Sequence, residues 1–181
     1  TTTLPILPVA PTTATLVVMP PIYQLSPYAR CVVSFRAASV DDPDAHTLIA
    51  EYFDMRAETF PTGDYSPVFP KAENFTPPTG VFLIVVEDGE DVGCGGVKRL
   101  TPDRYEIKHL WIQPRTQGRG FGRALLTELE NRARAFGATE VVLDTNASLA
   151  AAGSMYRSGG YEEIAPYNDN PNATNWFRKE L

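Results

Sequence analysis

Cysteine and histidine are almost missing from this chain, with two of each in 181 residues. Cys31 and Cys94 lie far apart, which suits a reducing compartment such as the cytoplasm better than a disulfide scaffold. With only His46 and His109 beside them, no metal-ligand spacing forms and no metal is expected. Positive charge is also short: 16 Lys and Arg stand against 22 Asp and Glu, a net charge of −6. Phosphate backbones need a basic face, so nucleic acid is not the expected partner, while an acidic surface would tolerate or attract cationic amines. Residues 1–29 hold no charged side chain at all. They lack the basic start of a signal peptide, and Pro5, Pro8, Pro11, Pro20, Pro21 and Pro27 break their apolar stretches too often for a membrane span. They read as an extended arm whose Leu4, Ile6, Leu7, Leu16, Val17, Val18 and Ile22 would suit exchange between subunits of a homodimer.

What the chain does contain is a core of ordinary size, 43% hydrophobic, enough for one domain. Cys31 to Ala37 is β-branched and reads as the first strand. Asp41-Asp42-Pro43-Asp44 then caps a helix through His46 to Met55, with His46 on its solvent side. The proline-broken, aromatic loop from Phe60 to Pro78 is a candidate substrate wall or a plain connector. Val81–Val86 and Val92–Arg99 form a hairpin in which Cys94 is a buried structural thiol. Tyr105 to Gln113 is a further strand, and Ala124 to Phe136 an amphipathic helix whose pairs Glu128–Arg132 and Glu130–Arg134 face solvent. A strand at Val141–Leu143, a short helix from Ser148 to Ser158, and strands at Tyr161–Tyr167 and Trp176–Leu181 complete a mixed sheet with helices on both faces. The polar loop Asn168 to Thr174 joins the last two strands.

The densest signal is Gln117-Gly118-Arg119-Gly120-Phe121-Gly122-Arg123, between a strand and a helix. Three alternate glycines free one side of the backbone of Cβ atoms, so successive N–H groups can face one point. The helix start adds unpaired amides and the positive end of its dipole, and Arg119 and Arg123 add charge. Phosphate or pyrophosphate is the natural guest.

Gln-x-x-Gly-x-Gly after the strand Glu106–Ile112, then Val141–Thr145, then Met155-Tyr156-Arg157-Ser158-Gly159-Gly160-Tyr161 follow in an order and spacing that resemble the GNAT superfamily of N-acetyltransferases. The resemblance runs from about Gly80 to Leu181. It implies an α/β (α+β) fold with a largely antiparallel twisted sheet of six to seven strands, formed by a domain at 30–181 behind the arm at 1–29, with Met19 a candidate internal translation start. It implies transfer of acetyl from acetyl-CoA to an amine acceptor, a small molecule or a peptide, by direct attack. Gln117, Gly118, Arg119, Gly120, Phe121, Gly122 and Arg123 would hold the pyrophosphate, and backbone groups of Leu110, Trp111 and Ile112 the pantetheine arm. Tyr156 would protonate the departing thiolate, and Glu106, eleven residues before Gln117, is placed as a general base, with ordered water or a structural pair to Lys108 or Lys98 as alternatives. One departure is Leu149, where many relatives carry asparagine; Asn146 lies too early to stand in for it. Two further readings stay open. One is a non-catalytic acyl-CoA sensor. The other is a nucleotide-binding α/β domain with Asp144 on a ribose, although the glycine spacing fits neither the dinucleotide fingerprint nor a P-loop.

Overall fold

The computed structural model describes residues 33–181; the arm, Cys31 and the expected start of the first strand lie outside the described residues. The elements run β1 (Val33–Ala38), α1 (Pro43–Thr59), β2 (Gly80–Glu87), β3 (Glu90–Arg99), β4 (Arg104–Ile112), α2 (Phe121–Ala135), β5 (Glu140–Thr145), α3 (Ala150–Ser158), β6 (Glu162–Ile164) and β7 (Asn175–Glu180). The seven strands make one sheet in the order β1-β2-β3-β4-β5-β7-β6. Only the β4–β5 pair is parallel. No helix among the described residues is long and apolar enough to cross a membrane.

Local chemistry accounts for most boundaries. Asp42 accepts the Asp44 amide at 2.9 Å and Pro43 takes the first helical position, so α1 starts where the cap directs. β6 stops at Ile164, shorter than the Tyr161–Tyr167 run suggests, because Pro166 has no N–H for a ladder.

Alternation along β2 divides the core in two. Val81, Leu83 and Val85 join Leu125 and Leu129 of α2 on one face. Phe82 and Ile84 join Leu48, Ile49 and Phe53 of α1 on the other. The glycine run of β3 permits close approach on both sides. A Cβ on Gly95 would sit 3.1 Å from Leu125 Cδ2, and one on Gly96 would sit 2.5 Å from the Phe75 ring. Next to these glycines, Cys94 is fully buried and forms no disulfide among the described residues, as a structural thiol should.

β4 changes phase midway. Lys108 faces Gly96 and Trp111 faces Cys94, so His109 and Leu110 together oppose the single Gly95. His109 takes φ 55° at this bulge. The extra residue turns the strand over. Tyr105 and Ile107 face α2 before it, Ile112 does so after it, and Trp111 goes to the α1 side.

One surface expectation is corrected. Glu128 and Arg132 pair at 2.7 Å, but Glu130 points inward, accepting Tyr161 Oη at 3.0 Å and Lys179 Nζ at 2.7 Å. Residue 130 follows Leu126 by four and precedes Ala133 by three, which puts it on the buried face; Arg134 turns to Asn131 instead. Lys179→Met should therefore lower the unfolding free energy by about 2 kcal/mol, because it leaves a buried carboxylate without its cation. Urea denaturation of a double-mutant cycle with Glu130→Gln checks this, the double variant recovering most of the loss.

Candidate active site

The site begins where two strands part. β4 and β5 are paired only from Arg104↔Glu140 to Glu106↔Val142. Past that point Ile107, Lys108, His109 and Leu110 line one wall of a cleft of about 470 Å³, and Asp144, Thr145 and Asn146 line the facing wall. Tyr52, Phe53 and Arg56 of α1, Tyr65 to Lys71 of the long loop, Asn170 to Asn172, and Leu149 with Tyr156 near α3 close it. The proline-broken loop, read as a candidate substrate wall or a plain connector, thus meets the Asn168 to Thr174 loop in one cavity.

The Gln113 amide donates to Val92 O at 2.9 Å, across the β3 side of the strand. Backbone groups alternate along an antiparallel strand, so those of Trp111 also face β3, while those of Leu110 and Ile112 face the gap. Trp111 therefore departs from the expectation that its backbone is free. Its side chain faces α1, where the indole donates to Glu51 at 3.2 Å. The Ile112 carbonyl is taken by Gln117 Nε2 at 2.8 Å, so Gln117 clasps the glycine turn to β4.

Within that turn only Gly118 (φ 75°) and Gly120 (φ 86°) need glycine's backbone freedom. A Cβ on either would meet nothing within 4 Å, whereas one on Gly122 would meet Met155 Sδ at 3.4 Å. Gly118 and Gly120 thus make a left-handed turn whose Cβ positions open on free space, and that of Gly122 lies at van der Waals distance from α3. Gly120 caps α2 with no side-chain bond, so the first-turn amides of the helix point outward. Phe121 anchors the turn in the core. Arg119 binds Glu87 and lies 4.9 Å over the Phe121 ring, and Arg123 reaches Ser158 Oγ.

Tyr156 is buried, with its ring 5.8 Å from those of Tyr161 and Phe177, and lines the cleft. Burial, with Tyr52 and Asp144 nearby, pushes its pKa up, so it stays a neutral proton donor. Glu106 is placed differently. It is 3% exposed and absent from the cleft lining. One oxygen accepts Tyr167 Oη at 2.9 Å, Asn168 at 3.2 Å and Lys108 at 3.2 Å; the other meets Lys98 at 3.0 Å. With both oxygens engaged, it has the geometry of an anchor, as in the structural pair to Lys108 and Lys98, and not of a base reaching a substrate.

Lys108 crosses the gap to Asp144 at 2.8 Å. Burial opposes its charge, but Glu106 and Asp144 prevail and hold its pKa above the ordinary lysine value. Burial likewise works against the Asp144 charge, and Lys108, Asn168 and Asn170 overcome it to keep the carboxyl below its usual range. Asn146, reached from the sequence only as a near miss for the absent asparagine, accepts the Ser148 amide at 3.0 Å and donates to Asn172 O at 3.1 Å. It pins the turn before α3 to the last polar loop.

Sequence reasoning missed three cleft residues: His109, Arg56 and Lys108 in its bridging role. Burial first, then Lys108 and Lys98, push the His109 pKa down to about 3, so the imidazole is neutral. Its ring lies among Tyr52, Phe53 and Phe75. A cue was present: the apolar positions of β4 step 105, 107 and then 110, 112, and the broken alternation marks residue 109. His46, placed on the solvent side, is exposed and stacks on Phe69 at 4.7 Å.

Residues 44–161 match the acetyltransferase (GNAT) family. An IAA acetyltransferase of Azospirillum brasilense is 34% identical over 87 residues, which is 48% of this chain and 57% of that one. The chain spans little more than half the length of the curated relatives it first matches. A Klebsiella pneumoniae structure assigned as an acyl-CoA N-acyltransferase superposes with a TM-score of 0.66 at 27% identity, covering 82% of this chain and 97% of the other. An Elizabethkingia anophelis acetyltransferase with acetyl-CoA bound shares the fold, at TM-score 0.59 and 15% identity over 82% of this chain and 98% of its own.

The neutral imidazole has a consequence for stability. Between its ordinary value near 6.5 and about 3, the unfolded chain binds a proton at His109 that the fold does not, so stability falls as pH drops through that window by up to about 1.4 kcal/mol per pH unit. His109→Asn keeps a residue tolerant of positive φ and should flatten the slope of unfolding free energy between pH 6 and 4. Equal slopes would mean that folded His109 carries the proton.

Proposed function

The chain belongs to the acetyltransferase (GNAT) family, and on that premise we propose that it is an N-acetyltransferase passing acetyl from acetyl-CoA to an amine by direct attack, without a covalent enzyme intermediate or a metal. The observation that carries this reading is the gap between β4 and β5, with the Tyr156 side chain in its lining and the glycine turn following β4.

In this reading the pyrophosphate sits on the amides of Gly118 to Arg123 at the α2 N-terminus, with Arg119 and Arg123 turning from Glu87 and Ser158 toward it. The pantetheine arm continues the sheet along the open edge of β4, pairing with Leu110 and Ile112, while Gln117 and Trp111 hold that edge in place through Ile112 O and Glu51. An acceptor entering from the α1 side attacks the thioester carbonyl. A β4 N–H facing the gap supports the resulting oxyanion. Collapse of the tetrahedral intermediate breaks the C–S bond, and the Tyr156 hydroxyl gives its proton to the thiolate, regaining one from solvent. The amine's own proton leaves through water in the cleft. Glu106 acts as a positioning residue that holds Lys108 and Asn168 at the mouth of the gap. Residues 30–181 would form the catalytic domain, with 1–29 as an arm suited to packing on a second copy. The unpaired Cys94 supports a reducing, cytoplasmic setting.

Thermal unfolding with acetyl-CoA, CoA, NADH and ATP tests the coenzyme: acetyl-CoA and CoA should raise the midpoint and the other two should not. A response to NADH or ATP alone would reassign the glycine turn to a nucleotide. Tyr156→Phe should reduce kcat roughly 100-fold while leaving the CoA-induced shift intact, and an undiminished rate would remove Tyr156 from the acid role. Binding without turnover on any amine, and no effect of Tyr156→Phe, would instead favour a sensor. Glu106→Gln should lower kcat yet keep the acid limb of its pH profile; loss of that limb would restore Glu106 as the base.

A further inference from the structure

The cleft holds one buried charge that the described residues do not balance. Arg56 is 2% exposed and lines the cavity. Its interactions among the described residues are a 3.5 Å contact from Nη1 to Ser148 Oγ and packing against the rings of Phe60 and Tyr65, 5.3 and 5.5 Å from their centroids. No carboxylate among the described residues lies within ion-pair distance of it. A guanidinium does not deprotonate, so it cannot escape the cost of burial by becoming neutral, as a lysine can. With Nη1 on Ser148 and the guanidinium beside two rings, its other N–H donors are the groups left for the cavity.

The sign of the whole cleft agrees. Arg56, Lys71, Lys98 and Lys108 line it, against one acid, Asp144. Asp144 is already bound by Lys108, Asn168 and Asn170, and Glu106 lies behind the two lysines that it neutralises. The chain's net charge of −6 suggests attraction of cationic amines, but the cavity has the opposite polarity. A polyamine or polycationic sugar would meet repulsion there.

We propose that the acceptor is an amino carboxylate, whose carboxylate binds Arg56 and whose apolar body packs against Tyr52, Phe53, Tyr65 and Phe69. This rests on the acetyltransferase reading above. A phosphate ester fits less well, because a dianion with three terminal oxygens calls for several donors and Arg56 is the one buried uncompensated cation among the described residues, Lys71 being exposed.

The test compares acids with their carboxamides: phenylalanine, glycyl-phenylalanine and 6-aminohexanoate, each beside its amide, with CoA thiol release as the readout and spermidine as a cationic control. The wild-type chain should acetylate the acids at least tenfold better in kcat/KM than the amides, and spermidine poorly. Arg56→Gln should cut kcat/KM for the acids by about 100-fold and leave the amides nearly unchanged, so that discrimination disappears. Arg56→Lys should restore part of it. The acetyl-CoA-induced rise in unfolding midpoint should be the same in all three proteins, which separates failure of this inference from failure of the transferase reading or of folding. Equal rates for acid and amide, preference for spermidine, or an Arg56→Gln loss shared by both forms would overturn the proposal. If no acceptor turns over, the same pairs are compared by midpoint shift with CoA present: stabilisation by the acids of wild type but not of Arg56→Gln supports it, and no difference from the amides overturns it.

Discussion

The fold turns on a single surplus residue. Because His109 and Leu110 share one partner, Gly95, β4 cannot remain in phase with its neighbours from end to end. The first half serves the sheet, pairing β5 through Glu106. The second half serves the cleft. A left-handed non-glycine residue costs roughly 1 kcal/mol, and packing offsets it: only with the phase reversed do Ile112 and Trp111 both reach a core, on opposite faces. The two cores hold the bulge, and the bulge holds the gap open.

Charge is arranged in layers around that gap. Glu106 lies deepest, Lys98 and Lys108 stand over it, and Asp144 receives Lys108 from the far strand. The asparagines of the last loop complete these carboxylates, so one polar segment braces both walls at once. Such networks are rigid when every donor and acceptor is satisfied, and among the described residues no buried side-chain polar atom lacks a partner. Against this balanced background Arg56 stands apart: its charge belongs to the cavity.

Most of the architecture was legible because period and punctuation agree in it. The cap at Asp42, the glycine turn and the helix after it, and the alternation of β2 each fix a local conformation without help from distant residues. The misreadings share one physical cause: they depend on which face of an element meets the core. Glu130 looks like half of a surface pair until Tyr161 and Lys179 are seen arriving from far along the chain. Glu106 reads equally as a base or as a structural pair until its four partners, two of them more than sixty residues away, are seen on its oxygens. Arg56 is one of several charges on an unremarkable helix, and its burial comes from a loop whose prolines and aromatics carry no periodic signal. Net charge is an average over the surface and does not give the sign inside a cavity.

The position of β7 bears on how the molecule comes into being. It follows β6 in sequence yet lies between β5 and β6. Until residues 175–180 leave the ribosome, β5 has an open edge and β6 has no strand to join. An uncovered strand edge is a template for pairing with other chains, and contacts that must wait for distant sequence form slowly. The cleft walls built from the 168–174 loop cannot assemble before that insertion. A nascent chain is therefore adhesive until β7 enters the sheet, and the step that completes the cavity is the same step that removes the hazard.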